Sequence, residues 1–145
     1  MSHLVHCFKM RVYYEDTDHG RRVYYANYLK FMERARTEYL RDCGLELDVL
    51  DATEHVQFAV TGVDIRYLQG AGFNDLLEVE STLSMAQGAR LAFRQVIYLL
   101  DRKTAERTSQ LTSADVQLAC LNSGNHRPCR IPESVMPVLK IHQSD

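Results

Sequence analysis

Y-Y-E-D-T-D-H-G-R-R-V-Y-Y-A-N-Y-L-K-F-M-E-R-A-R-T-E-Y-L, residues Tyr13–Leu40, contains the change of period that decides the fold. Glu15–Arg22 has carboxylates at Glu15, Asp16 and Asp18, a glycine, and no apolar periodicity, so it predicts a loop. From Tyr24 onward Tyr25, Tyr28, Leu29, Met32, Ala35, Tyr39, Leu40 and Cys43 recur at spacings of three and four, and Gly44 follows. That pattern predicts one long amphipathic helix closed by a glycine just past its end. Its apolar stripe is wide, which predicts a helix covered over much of its circumference by a sheet. Upstream, Phe8, Met10, Val12 and Tyr14 alternate with Lys9, Arg11 and Tyr13, the period of a half-buried strand within Leu4–Tyr14.

Beyond the helix, Leu45–His55 reads as a polar connection with at most a helical turn. Val56, Phe58 and Val60 alternate, but Val63, Ile65 and Tyr67 continue with the opposite parity, which predicts a β-bulge near Gly62. After a turn at Gly70–Asp75, three further strands are marked by Leu77, Val79, Leu83 and Met85, then Leu91, Phe93, Ile97 and Leu99, then Ala114, Val116, Leu118 and Cys120. Ala86–Gly88 and Asp101–Thr104 supply the connections, and a short terminal helix is expected after Ile131. Strand, long helix and four strands with short connections imply an α+β fold in which an antiparallel sheet curls round one helix. Such a sheet leaves an edge, and apolar surface around Phe93, Ile97 and Val116 that one chain cannot cover. A homodimer or homotetramer is therefore expected.

The chain has 145 residues, 46% of them apolar and 25% charged, which predicts a single domain over residues 1–145. With 17 basic and 19 acidic residues the net charge is −2. No general field draws it to nucleic acid or anionic lipid, and an anionic ligand has to be held by a local patch. No run approaches the roughly 20 apolar residues that cross a bilayer, and the N-terminal stretch has no signal-peptide pattern. A cytoplasmic protein without membrane insertion is expected. Cys7, Cys43, Cys120 and Cys129 are scattered, with no C-x-x-C, and read as reduced thiols.

Asp16 and Asp18 stand directly ahead of a helix N-terminus. Free N–H groups and the positive end of the helix dipole near Tyr24 and Tyr25 suit a carbonyl oxygen acquiring negative charge. A carboxylate on the preceding loop suits attack on that carbonyl, or proton abstraction from water. The same acidic residues equally suit a structural role at a helix start. His3, His6, His19, His55, His126 and His142 show no spacing that makes a metal site, and no metal is expected. No G-x-S-x-G elbow is present, and Cys7 and Cys43 are poor candidates for covalent catalysis. On the helix, Arg34 and Glu38 are spaced for an i,i+4 ion pair.

Tyr13–Leu40 closely resembles the signature of the hotdog acyl-CoA thioesterases of the 4-hydroxybenzoyl-CoA thioesterase group, in particular the YbgC-type enzymes associated with the Tol-Pal system. D-I-R-Y-L at Asp64–Leu68, F-N-D-L-L-E-V-E-S at Phe73–Ser81 and R-I-P at Arg130–Pro132 support it. The resemblance implies a five-stranded antiparallel sheet wrapped round one central helix, assembled as a dimer and often a tetramer. It implies hydrolysis of an acyl-CoA to free acid and coenzyme A with no cofactor. The catalytic carboxylate falls on Asp18, the backbone oxyanion contact near Tyr25, and Tyr14 close to the site. Asn27 and Tyr28 match the N-Y pair at the helix start and are expected among the substrate contacts.

This chain departs from that signature in ways that bear on the chemistry. Where D-A-G-G-V-V-Y-H-A-N-Y is usual, Arg21 and Arg22 replace a glycine and an apolar residue, and Tyr25 replaces the histidine. Tyrosine, with a reference pKa of about 10, is a poor base at neutral pH, so a changed substrate preference or a slower enzyme is implied. Gly70 stands where the family has proline. Arg21 and Arg22, beside the loop, and Arg90 are the expected contacts for the coenzyme A phosphates, with Arg94, Arg102, Lys103 and Arg107 as further cations. The rival reading is a hotdog protein that binds acyl-CoA or acyl carrier protein without turnover. A hydratase or dehydratase is disfavoured, because no histidine is spaced with a carboxylate in the helix region.

Overall fold

The computed structural model describes residues 4–144; His3 lies outside them. Strand β1 (His6–Arg11) is followed by a 3₁₀ turn at Tyr14–Asp16, helix α1 (Asn27–Asp42) and helix α2 (Leu47–Glu54). Strands β2 (Val56–Tyr67), β3 (Leu76–Gln87), β4 (Arg90–Leu100) and β5 (Arg107–Asn122) come next, and helix α3 (Met136–His142) closes the chain. All strand pairs are antiparallel, in the order β1-β3-β4-β5-β2. This is the expected α+β hotdog, with α1 packed on one face of a five-stranded sheet. Among the described residues no helix is long and apolar enough to cross a membrane.

The parity switch in β2 is a bulge: the register with β5 slips between Val60 and Gly62. A second slip, between Leu83 and Met85, turns Met85 aside from its expected inward place and gives the buried position to Ala86. Gly44 follows α1 with φ of +86°, where a side chain would be strained. The polar connection after α1 folds further than expected, into the two turns of α2. Tyr14 leaves the strand pattern: it sits in the 3₁₀ turn and is exposed.

Helix α1 buries one face. Tyr28, Phe31, Met32, Ala35, Tyr39 and Leu40 meet the sheet, while Leu29, Lys30, Glu33 and Arg34 face outward, so the wide stripe does not mean near-complete wrapping. Phe93, Ile97 and Val116 are no more than 1% exposed within the single chain. The expectation that a partner covers them is wrong, because the concave face of the sheet closes them under α1. Exposed apolar side chains include Val60, Val63 and Tyr67 of the outer strand β2 and Leu29 of α1. Glu38 pairs with Arg41, which also reaches Glu46, and not with Arg34. All four thiols are free, though Cys120 and Cys129 approach to 3.8 Å between sulfurs.

Candidate active site

The acidic loop is a small hairpin. Thr17 bridges Val23, the Asp18 N–H donates to the Arg22 carbonyl at 2.9 Å, and the Tyr24 N–H donates to the Asp16 carbonyl at 3.0 Å. The two aspartates are thereby given different work. Asp16 is buried, and its Oδ2 accepts the Tyr13 N–H at 2.9 Å, so it holds the turn together. Asp18 is exposed. Its Oδ1 accepts the N–H groups of Gly20 (2.9 Å) and Arg22 (3.4 Å), which orients the carboxylate. Among the described residues Oδ2 has no donor, and an oriented carboxylate with one free oxygen is chemically available.

Helix α1 begins two residues later than Tyr25. Ala26 caps it without a side-chain acceptor, and among the described residues the Tyr25 and Ala26 N–H groups have no acceptor. They are open donors at the positive end of a 16-residue helix. Tyr25 is 62% exposed, and the Tyr67 hydroxyl donates to its carbonyl at 3.1 Å. Burial raises the pKa of that hydroxyl, which keeps it a donor.

Asn27 and Tyr28, expected to touch substrate, each make a hydrogen bond within the scaffold. The Asn27 Nδ2 donates to the Asp16 carbonyl at 2.7 Å, and the Tyr28 hydroxyl accepts the Ala71 N–H at 2.9 Å. Both are buried, and Tyr28 lines a surface hollow with Val23, Tyr25, Tyr67 and Gly70. Tyr14 stacks flat on Phe73, with ring centroids 3.8 Å apart. Phe73 and Tyr67 stand beside the candidate site, and sequence reasoning did not single them out, since neither lies in the loop-helix signature.

Arg22 lies across the 70–72 turn and donates to the Gly70 carbonyl at 2.9 Å. A Cβ on Gly70 would stand 3.1 Å from its guanidinium, so glycine in place of the family's proline gives this arginine its bed. Arg90 opens β4 at the opposite end of the β3–β4 hairpin from the acidic loop, and one chain does not bring the two together. Arg94, Arg102 and Arg107 are engaged with Asp115, Asp75 and the Glu78–Glu80 pair. His6 Nε2 lies 2.7 Å from Asp42, a histidine–carboxylate pair 36 residues apart in sequence. It ties β1 to the C-terminal end of α1, away from the acidic loop. Burial pushes the Cys43 thiol up to about 11 and raises that of Cys7, which suits neither to nucleophilic work.

Arg21 adopts a left-handed backbone with φ of +60°, where the family's glycine costs nothing and an arginine costs about 1 kcal/mol. Arg21→Gly should therefore raise the melting temperature by roughly 3 °C while raising KM for acyl-CoA if the side chain meets the phosphates. Thermal denaturation and steady-state kinetics on the same preparation check both. A lower melting temperature would show that the side chain's contacts outweigh the strain.

A sequence profile of the thioesterase-like superfamily matches residues 12–139. The chain is 40% identical over 128 residues to the acyl-CoA thioesterase YbgC of Haemophilus influenzae, covering 88% of this chain and 89% of that one. It is 37% identical over 131 residues to the acyl-CoA thioester hydrolase YbgC of Escherichia coli, covering 90% and 92%. Its fold matches a probable thioesterase from Bartonella henselae with a TM-score of 0.77 at 36% identity, over 89% of this chain and 100% of that one. Fold, loop-helix signature and relatives agree, and the chain belongs to the thioesterase-like superfamily, within it to the YbgC-type acyl-CoA thioesterases.

Proposed function

We propose that this chain hydrolyses acyl-CoA thioesters with Asp18 as nucleophile or general base and the N–H groups at Tyr25 and Ala26 as the oxyanion site. The observation that carries the reading is the division of labour in the Asp18 carboxylate, with one oxygen held by two backbone donors and the other free. It stands on the same hairpin as an uncapped helix start. The thioester carbonyl takes negative charge as oxygen adds to it, and open N–H donors stabilise that charge. The C–S bond then breaks, the water oxygen ends in the acid, and the sulfur leaves as coenzyme A. Coenzyme A enters as part of the substrate, and the proposed chemistry uses no cofactor. Incubation with a panel of acyl-CoAs and a thiol reagent tests it, thiol release proportional to time being the expected result.

Tyr25 in place of the family histidine favours a second reading, binding of acyl-CoA or acyl carrier protein without turnover. Saturable binding with no thiol release would establish it. Under the hydrolytic reading Tyr25→His should preserve or raise turnover, because either residue keeps the backbone N–H. A fall beyond about tenfold, or 1.4 kcal/mol of barrier, with folding intact would give the tyrosine a role of its own.

Assembly as a homodimer or homotetramer is part of the same proposal. It is supported by the 12-residue β2, an outer strand paired on one side only, carrying Val60 and Val63 at 48% and 39% exposure. Sedimentation at micromolar concentration should find no free monomer. A single monomer species would contradict it.

A further inference from the structure

Cys120 and Cys129 are nine residues apart, a spacing that carries no motif, yet the fold sets them face to face. After Asn122 the chain turns and runs back beside the end of β5, where Leu121 bridges Pro128. The Asn122 N–H donates to the Arg127 carbonyl at 2.8 Å, and the Cys129 N–H donates to the Cys120 carbonyl at 2.9 Å. These bonds flank the bridge, so the two cysteines stand directly opposite one another. Hydrogen-bonded residues opposite each other in an antiparallel ladder have Cα atoms about 5.5 Å apart, a separation at which disulfides are common. The sulfurs are 3.8 Å apart, and a small rotation of each side chain closes the rest to a bond of about 2.05 Å.

The two thiols differ. Cys120 is fully buried, whereas Cys129 is half-buried and is the sulfur that solvent reaches. Burial, with the neighbouring Cys129 sulfur, pushes the Cys120 thiol up to about 12, so Cys120 keeps its proton at neutral pH. Its Sγ also lies 4.0 Å from the Arg130 carbonyl. Cys7, exposed on β1, has the Arg107 guanidinium beside it and not a thiol. The segment that begins at Cys129 carries Ile131, Val135 and Leu139 into the core. The Ile131 N–H donates to the Gly88 carbonyl and the Ser144 N–H to the Leu83 carbonyl, both at 2.8 Å. Its ladder with β5 is short, and Pro128 has no N–H to lengthen it.

We infer that Cys120 and Cys129 are a peroxide-sensitive modification site, at which a reversible disulfide staples the C-terminal segment to β5. The oxidant is a hydroperoxide. Cys129, as thiolate, attacks one peroxide oxygen; the O–O bond breaks, Cys129 becomes a sulfenic acid, and the leaving hydroxide takes up the proton that Cys129 gave to solvent. The Cys120 sulfur then attacks the Cys129 sulfur. The S–O bond breaks, the Cys120 proton joins the departing hydroxide, and water leaves as the S–S bond forms. Two thiols have lost two electrons and two hydrogens, and hydrogen peroxide has become two waters. A dithiol reverses the step by thiol–disulfide exchange. The closed ring denies the unfolded chain its more open conformations and so favours the docked segment. Gly88 and the start of β4 adjoin the pair, at the opposite end of the β3–β4 hairpin from the acidic loop, so the staple acts on stability and not on turnover.

The test treats the reduced full chain with hydrogen peroxide, blocks the remaining thiols with iodoacetamide, and reads intact mass and peptide map. The expected product has lost two hydrogens, yields a peptide cross-linked through Cys120 and Cys129, and returns to four titratable thiols after dithiothreitol. Its melting temperature should rise by about 5 °C over the reduced protein. Cys129→Ser, a change at a half-buried position, should melt like the reduced wild type and show neither cross-link nor rise. In Cys120→Ser the Cys129 sulfenic acid has no thiol to meet and should be captured by dimedone; if that variant does not fold, Cys129→Ser and the reduced wild type decide the matter between them. Oxygen added at Cys129 of the wild type without the cross-link, cross-links chiefly between chains through Cys7, or an equal rise in Cys129→Ser would each overturn the inference. A cross-link that leaves the melting temperature where it was, or lowers it, overturns the staple.

Discussion

Asp18→Asn should lower kcat by roughly two to four orders of magnitude, about 3 to 5 kcal/mol of barrier, with a smaller change in KM. The structure makes this a clean substitution. An asparagine oxygen can keep the hydrogen bonds from Gly20 and Arg22 that orient the side chain, so the hairpin loses nothing that folds it. The other carboxylate oxygen becomes an amide, which neither attacks a thioester nor accepts a proton at neutral pH. Unchanged circular dichroism and sedimentation, beside lost thiol release, are the expected results. Asp16→Asn is the control. Its carboxylate accepts the part-buried Tyr13 N–H, and the amide oxygen can do the same, so turnover should stay within tenfold with about 1 kcal/mol of stability lost. If Asp18→Asn kept more than a tenth of wild-type kcat, the catalytic carboxylate would have to be sought elsewhere.

Phe93→Ala should destabilise the folded chain by about 3 to 5 kcal/mol, a large part of the 5 to 15 kcal/mol typical of a domain. Phe93 is 1% exposed, stands opposite Leu83 and Val116 on the neighbouring strands, and meets the Tyr39 ring edge-on at 5.2 Å and 89°. Removing the ring leaves a cavity between α1 and the middle of the sheet that rigid neighbours fill only in part. Urea unfolding should show the same loss at low and high protein concentration, because the contacts lie within one chain. A loss that vanishes as concentration rises would place Phe93 between subunits after all.

Features carried by local spacing were legible without the structure. The period of three and four from Tyr28 to Cys43, ended by Gly44, reports a helix because neighbouring turns of one chain set it. The parity switch across Gly62 reports a bulge because side chains on a strand must alternate. Asp18 was found through a motif confined to one loop and one helix. The loop's Arg21, the family's glycine position, proved to need the left-handed backbone that glycine adopts freely.

What local spacing does not encode is which face meets which. Alternation in β4 separates Leu91, Phe93, Gln95 and Ile97 from their neighbours, but whether that side faces α1 or a partner depends on how the sheet curls. Arg36 reads locally as one more charge on an amphipathic helix. Its burial depends on Gln95, 59 residues away, and that pairing exists only when β4 is laid beneath α1. Asn27 and Tyr28 carry their family match openly in the sequence, yet it takes the fold to bring the Asn27 Nδ2 to the carbonyl of Asp16 and the Tyr28 hydroxyl to the N–H of Ala71. The sequence alone therefore determined the order of elements and the acidic loop ahead of the helix, because both arise from interactions within a few residues. Only the tertiary structure decided which charges are buried and which arginines are already paired. Those depend on Coulomb and desolvation energies between groups that the chain brings together from far apart.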